Sequence, residues 1–148
     1  MNRLLALVTA MFVCVTATAS TAQDSPVVVE LFTSQGCSSC PPADEMLARL
    51  GERDNIIALA LHVDYWDYIG WKDKFAHAAF TERQKGYARS FGNRSIYTPQ
   101  MVINGAADVV GNRPMDVTDM VQAHAAKGLL TALTLKRSGD RLTITAPA

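Results

Sequence analysis

The sequence carries no net charge: across 148 residues, 14 Lys and Arg balance 14 Asp and Glu. Nor does it contain a basic or acidic block. That removes the electrostatic footprint expected of a partner for nucleic acid or an anionic surface. No segment repeats and none is of low complexity, so neither a solenoid nor a linker is indicated. The apolar run Leu4 to Val15 is too short to span a bilayer comfortably. Cysteine is scarce, with three in the chain, and one of these, Cys14, lies inside that apolar run.

What is present divides early. Met1-Asn2-Arg3 is a short positive start, Leu4 to Val15 follows, and Ala17-Thr18-Ala19 and Ser20-Thr21-Ala22 are small-x-small cleavage sites. Residues 1–22 read as a secretory signal peptide, and Cys14 leaves with it. Bulky Val13 ahead of Cys14 argues against lipoprotein processing. The mature chain then keeps Cys37 and Cys40 in a periplasmic or secreted setting that permits disulfides. An isolated pair there is oxidised at rest unless a reductant is supplied. The composition, 49% hydrophobic and 19% charged, suits one globular domain with a real core.

The organising stretch is Leu31-Phe32-Thr33-Ser34-Gln35-Gly36-Cys37-Ser38-Ser39-Cys40-Pro41-Pro42. An apolar strand runs into a turn, two cysteines stand two residues apart, and a helical pattern follows. The spacing lets both sulfurs meet across one turn, so a disulfide opens and closes with little backbone movement. A helix N-terminus beside them favours thiolate over thiol. Pro41 and Pro42 suit only a first turn, placing the helix start at or just after Cys40. The same spacing also serves a structural disulfide or half a metal site. Glu30, inside the strand Val27 to Thr33, has two readings. It is a carboxylate at a wet strand edge, or a buried acid with a raised pKa that relays protons to the cysteines.

Further along, Asn55 to Val63 reads as a central parallel strand, because it is continuously apolar. Asp64 to Trp71 holds both tryptophans and two of the four tyrosines. It is either a pocket wall beside the cysteines, with Trp66 as a substrate contact, or a loop clamped by its own packing. His62 and Asp64 are candidate metal ligands with the cysteines; a strand-end histidine is more often simply hydrogen-bonded. Asp73 to Phe91 reads as helix, with a possible restart at the capping box Thr81-x-x-Gln84 and a stop at Gly92. Gln100 to Ile103 is a strand, Asn104-Gly105 a two-residue hairpin turn and Ala107 to Gly111 the return. Pro114 to Lys127 is a helix ended by Gly128. Leu129 to Arg137 and Arg141 to Ala146 read as a β-hairpin about Ser138-Gly139-Asp140.

The order β-α-β-α-β-β-α, with Cys-x-x-Cys after the first strand and Thr98-Pro99 before the third, resembles the thioredoxin fold. Right-handed crossovers make the first strands parallel and the hairpin adds antiparallel ones. The resemblance implies an α/β protein with a mixed sheet flanked by helices over residues 23–128. Residues 129–148 then form a C-terminal β-hairpin, which the resemblance reads as the start of a truncated β extension. It further implies a cis Pro99 packed on the disulfide, Thr98 offering backbone groups to a substrate chain, Cys37 attacking and Cys40 resolving. The segments Glu30 to Asp44, His62 to Asp67, Gly70 to Asp73 and Tyr97 to Gly105 are similar to the secreted thioredoxin-like family called domain of unknown function 1223. Ser38-Ser39 between the cysteines, and Gln35-Gly36 ahead of them, depart from thioredoxin itself.

The expected function is exported thiol–disulfide exchange. Cys37, Cys40, Pro99 and Glu30 serve catalysis, Thr98 and Trp66 the substrate, with no cofactor. The partner is a protein or small-molecule thiol or disulfide, and neither nucleic acid nor, after signal cleavage, a membrane. Alternatives are a soft-metal (copper) carrier and a non-catalytic module stapled by the disulfide. Cleavage after Ala19 or Ala22 is expected to leave a mature start at Ser20 or Gln23. N-terminal sequencing of exported protein checks this, and a product still beginning at Met1 would refute it.

Overall fold

The computed structural model describes residues 26–128 and 133–146. The expected signal peptide lies outside the described residues, as do positions 129–132 of the expected hairpin. Strand β1 (Val27–Thr33) leads to helix α1 (Pro41–Gly51) and strand β2 (Ile56–His62). A short 3-10 turn, Asp67–Ile69, precedes helix α2 (Ala78–Phe91). Strands β3 (Gln100–Ile103) and β4 (Ala107–Val110) follow, then helix α3 (Pro114–Lys127). The described chain closes with a separate hairpin of β5 (Thr134–Ser138) and β6 (Arg141–Thr145).

The main sheet runs β2-β1-β3-β4. β1 lies parallel to β2 and antiparallel to β3, which pairs antiparallel with β4. Alternation along β1 sends Val27, Val29 and Leu31 into one core with Ala43, Met46, Leu47 and Leu50 of α1 and Val117 and Val121 of α3. Phe32 goes the other way, with Val102, to meet Tyr87 and Phe91 of α2. The arrangement is a mixed α/β, thioredoxin-like fold: a four-stranded mixed sheet with α1 and α3 on one face and α2 on the other, followed by a hairpin.

The start of α1 falls where the two prolines require it, with Cys40 as N-cap and Pro41 and Pro42 in the first turn. Strand β3 and helix α3 have the expected bounds. Four expectations are corrected. β2 is an edge strand and not a central one, with Ile57 45% and Leu59 41% exposed. The central place goes to β1, which pairs on both sides. Helix α2 begins at Ala78 rather than Asp73, with the His77 imidazole accepting the Ala79 N–H at 3.0 Å. Asp73 is diverted into tertiary hydrogen bonds. Thr81 and Gln84 form no cap: the Thr81 hydroxyl donates to Asp64 and the Gln84 amide to the Tyr97 carbonyl. The β3–β4 connection spans Asn104 to Ala106 instead of two residues, because Ile103 pairs with Ala107. Asn104 is drawn towards β1, its side chain accepting the Val28 N–H at 2.8 Å.

Leu31 is fully buried between α1 and the sheet. Leu31→Ala is expected to lose about 2–5 kcal/mol of stability. Leu59→Ala, on the exposed edge, should lose less than about 1 kcal/mol. Urea unfolding of the two variants checks the contrast.

Candidate functional site

Cys37 and Cys40 are joined in a disulfide with a Cα–Cα distance of 5.4 Å. The pair is placed by consecutive turns: the Cys37 N–H donates to the Ser34 carbonyl at 3.1 Å and the Cys40 N–H to the Cys37 carbonyl at 3.2 Å. The Cys40 carbonyl then accepts the first bonds of α1, from Ala43 and Asp44. A disulfide at a helix N-terminus is the arrangement the spacing indicated. Both residues are buried, Cys37 3% and Cys40 0% exposed.

The turn ahead of the cysteines is held from outside. The Gln35 N–H donates to the Asp73 carboxylate at 2.8 Å, and the Trp71 indole donates to the Gln35 side chain at 3.1 Å. Gly36 is pressed against Trp66 and Ile69: an added Cβ would stand 3.0 Å from a side-chain carbon of each. A larger residue there would push Trp66 or Ile69 back by a few tenths of an ångström. The Trp66 indole in turn donates to the Thr98 hydroxyl at 2.8 Å, and Thr98-Pro99 is a cis peptide. The Pro99 carbonyl accepts the Gly111 N–H at 2.9 Å, and the next residue, Asn112, donates its amide to the Ser39 carbonyl at 3.4 Å. Cys37, Cys40, Trp66, Thr98 and Pro99 thus belong to one connected end of the sheet.

Glu30 does not join them. It leaves β1 on the α2 face, buried, and accepts from Arg83 and from the Tyr87 hydroxyl at 2.7 Å. Burial and this bond to a carboxylate push the Tyr87 hydroxyl up to about 12. His62 stands at the end of β2 with its Nδ1 2.6 Å from the Asp73 carboxylate. Among the described residues no group of three or more His, Cys, Asp or Glu is arranged to hold a metal. The aromatic segment divides: Tyr65 and Trp66 pack on the core of Phe32 and Val102, while Tyr68, Ile69 and Trp71 are exposed.

Residues that the sequence did not announce complete the site. Asp73 is 1% exposed and accepts from Gln35, His62 and Phe75. Burial alone would raise its pKa; the donors, led by the Gln35 N–H, outweigh this and leave it below the usual aspartate value. Asp44, one helical turn beyond Cys40, accepts the Thr33 hydroxyl at 2.8 Å. Burial raises its pKa against that hydrogen bond. No local signal marks either residue, since an Asp after Gly-Trp-Lys or after Pro-Pro-Ala looks like any helix-start acid.

Because Trp66 lies against Gly36 beside Cys37, reduction of the disulfide is expected to change tryptophan emission. Trp66→Phe should remove most of the change. Fluorescence of the oxidised and reduced proteins checks this, and identical spectra would leave the aromatic segment without a role at the cysteines.

No curated protein matches the chain. Among solved structures, a protein from Agrobacterium tumefaciens is 43% identical and superposes with a TM-score of 0.72, over 86% of this chain and 59% of that one. The chain therefore spans 59% of the length of that relative. HBP35 of Porphyromonas gingivalis is 15% identical, with a TM-score of 0.53 over 76% of this chain and 37% of its own, a likeness of fold alone. The family described as a protein of unknown function, DUF1223, matches residues 28–148, a span that takes in both cysteines, Thr98-Pro99 and the hairpin, and the chain belongs to that family.

Proposed function

We propose that the protein is an exported thiol–disulfide oxidoreductase whose Cys37–Cys40 pair exchanges with a thiol or disulfide partner. The observation that carries the reading is the disulfide at the start of α1, linked through Trp66 and Asn112 to the cis Thr98-Pro99 segment. The disulfide stands at the positive end of the α1 dipole, which favours a thiolate there. Thr98 and Trp66 offer polar and aromatic contacts for a partner chain. Export rests on the charged start, short apolar run and cleavage sites of residues 1–22.

The exchange balances as follows. A partner thiolate attacks the Cys37 sulfur, the Cys37–Cys40 bond breaks, and Cys40 leaves as a thiolate that takes a proton. A second partner thiol, deprotonated, attacks the mixed disulfide. The partner's own disulfide forms and Cys37 leaves as a thiolate. Two electrons pass to the protein; the reverse sequence reduces a partner disulfide. With both cysteines buried, an approaching chain must displace the cover over Cys37 before the sulfurs meet.

With Cys40→Ser, a disulfide substrate is expected to stay trapped on Cys37 as a mixed disulfide. With Cys37→Ser, trapping should largely fail, since Cys40 is fully enclosed. Non-reducing mass spectrometry reads both outcomes. If neither variant traps substrate, and Cys37 of the reduced protein alkylates like a free thiol of pKa near ~8.5, exchange is not the function. The disulfide would then be a structural staple.

A further inference from the structure

The turn that precedes Cys37 is fastened by a residue 38 positions away. Asp73 receives the Gln35 N–H at 2.8 Å on the carboxylate oxygen that also meets His62 Nδ1 at 2.6 Å, and the Phe75 N–H at 2.9 Å on the other. Its own N–H donates to the Asp67 carboxylate at 3.1 Å. A carboxylate this enclosed stays charged only because donors meet both oxygens. Other charged groups nearby are Asp44 on α1, bonded to Thr33, and Asp67 in the 3-10 turn.

We infer that Asp73 is a positioning residue for the Cys37–Cys40 pair, closing the turn through Gln35 and placing a buried negative charge just ahead of Cys37. Two effects act in one direction. The bond to Gln35 favours the closed turn in which the sulfurs meet. The carboxylate disfavours a second anion beside it, and the second anion is the Cys37 thiolate formed on reduction. Asp73 therefore weights the equilibrium towards the disulfide. The inference rests on the proposed exchange only for its biological use, since the equilibrium itself is measurable by chemical reduction.

The test is the equilibrium constant of the pair in glutathione buffers, where two glutathione thiols reduce one protein disulfide and leave as glutathione disulfide. Asp73→Asn, which removes the charge, should make the pair easier to reduce by about tenfold or more, roughly 30 mV for a two-electron couple. Measured against Gln35→Ala, which likewise loses the side chain that receives the Trp71 indole, Gln35→Pro removes the N–H from an exposed position and leaves the carboxylate. It should shift the constant in the same direction by a smaller factor, and it stands as the test should Asp73→Asn fail to fold. A purely architectural Asp73 would lower the melting temperature of both redox forms alike and leave the constant unchanged, which would overturn the inference. If Cys40→Ser still trapped substrate in that case, the exchange reading would stand and this one alone would fall. A shifted constant without trapping would do the opposite.

Discussion

Strand β1 has no free side. β2 takes one edge and β3 the other, α1 and α3 cover one face, and α2 covers the second. Every position between Val27 and Thr33 except Val28 is buried. The two halves of the hydrophobic core meet across it and its neighbour β3, so its register fixes where each helix sits. The strand ends at Thr33, whose carbonyl accepts the Val63 N–H and whose hydroxyl donates to Asp44. The cysteines begin within one turn of that anchored end. The most constrained segment of the fold thus leads directly into the segment with chemistry on it.

The same enclosure explains the treatment of Glu30. A carboxylate in a fully covered strand must be paired, and Arg83 and Tyr87 do this from α2. The Arg83 side chain is more than half exposed, so the pair reaches from interior to solvent. Burial of a charge here is compatible with a stable strand because the partners come from a neighbouring helix with an open outer face. The position along β1 decides the side. One residue either way would turn the carboxylate to the α1 face and bring it under the helix that carries the disulfide.

The sequence was most legible where local chemistry acted alone. The prolines after Cys40, Gly92 and Gly128 at helix ends, and Pro114 at a helix start all mark real boundaries. Thr98-Pro99 ahead of a short apolar run located β3. Legibility failed where distant partners intervened. Ile56 to His62 is as apolar as a central strand, yet which strand is central depends on pairing that periodicity does not record. Asp73 looks like the start of a helix because its partners, Gln35 and His62, lie far back in the chain. Its place at the site follows from the tertiary fold alone. Thr81 and Gln84 form a capping pattern by type, but the chain enters α2 four residues earlier and puts both side chains to other uses.

Gly36 and the two serines between the cysteines face opposite demands. A side chain at position 36 would press on Trp66 and Ile69, with its Cβ 3.0 Å from each, whereas Ser38 and Ser39 are exposed. The tolerance for change around the disulfide is therefore lopsided. At position 36, a new side chain requires Trp66 and Ile69 to give way. Between the cysteines, Ser38 is exposed and the Ser39 hydroxyl stands 3.5 Å from the Cys37 sulfur, so changes there bear on the sulfur's surroundings and not on the packing of the aromatic segment. Redesign of this scaffold for a different chemistry has a ready-made adjustable dial in that dipeptide, with the surrounding frame left as it is.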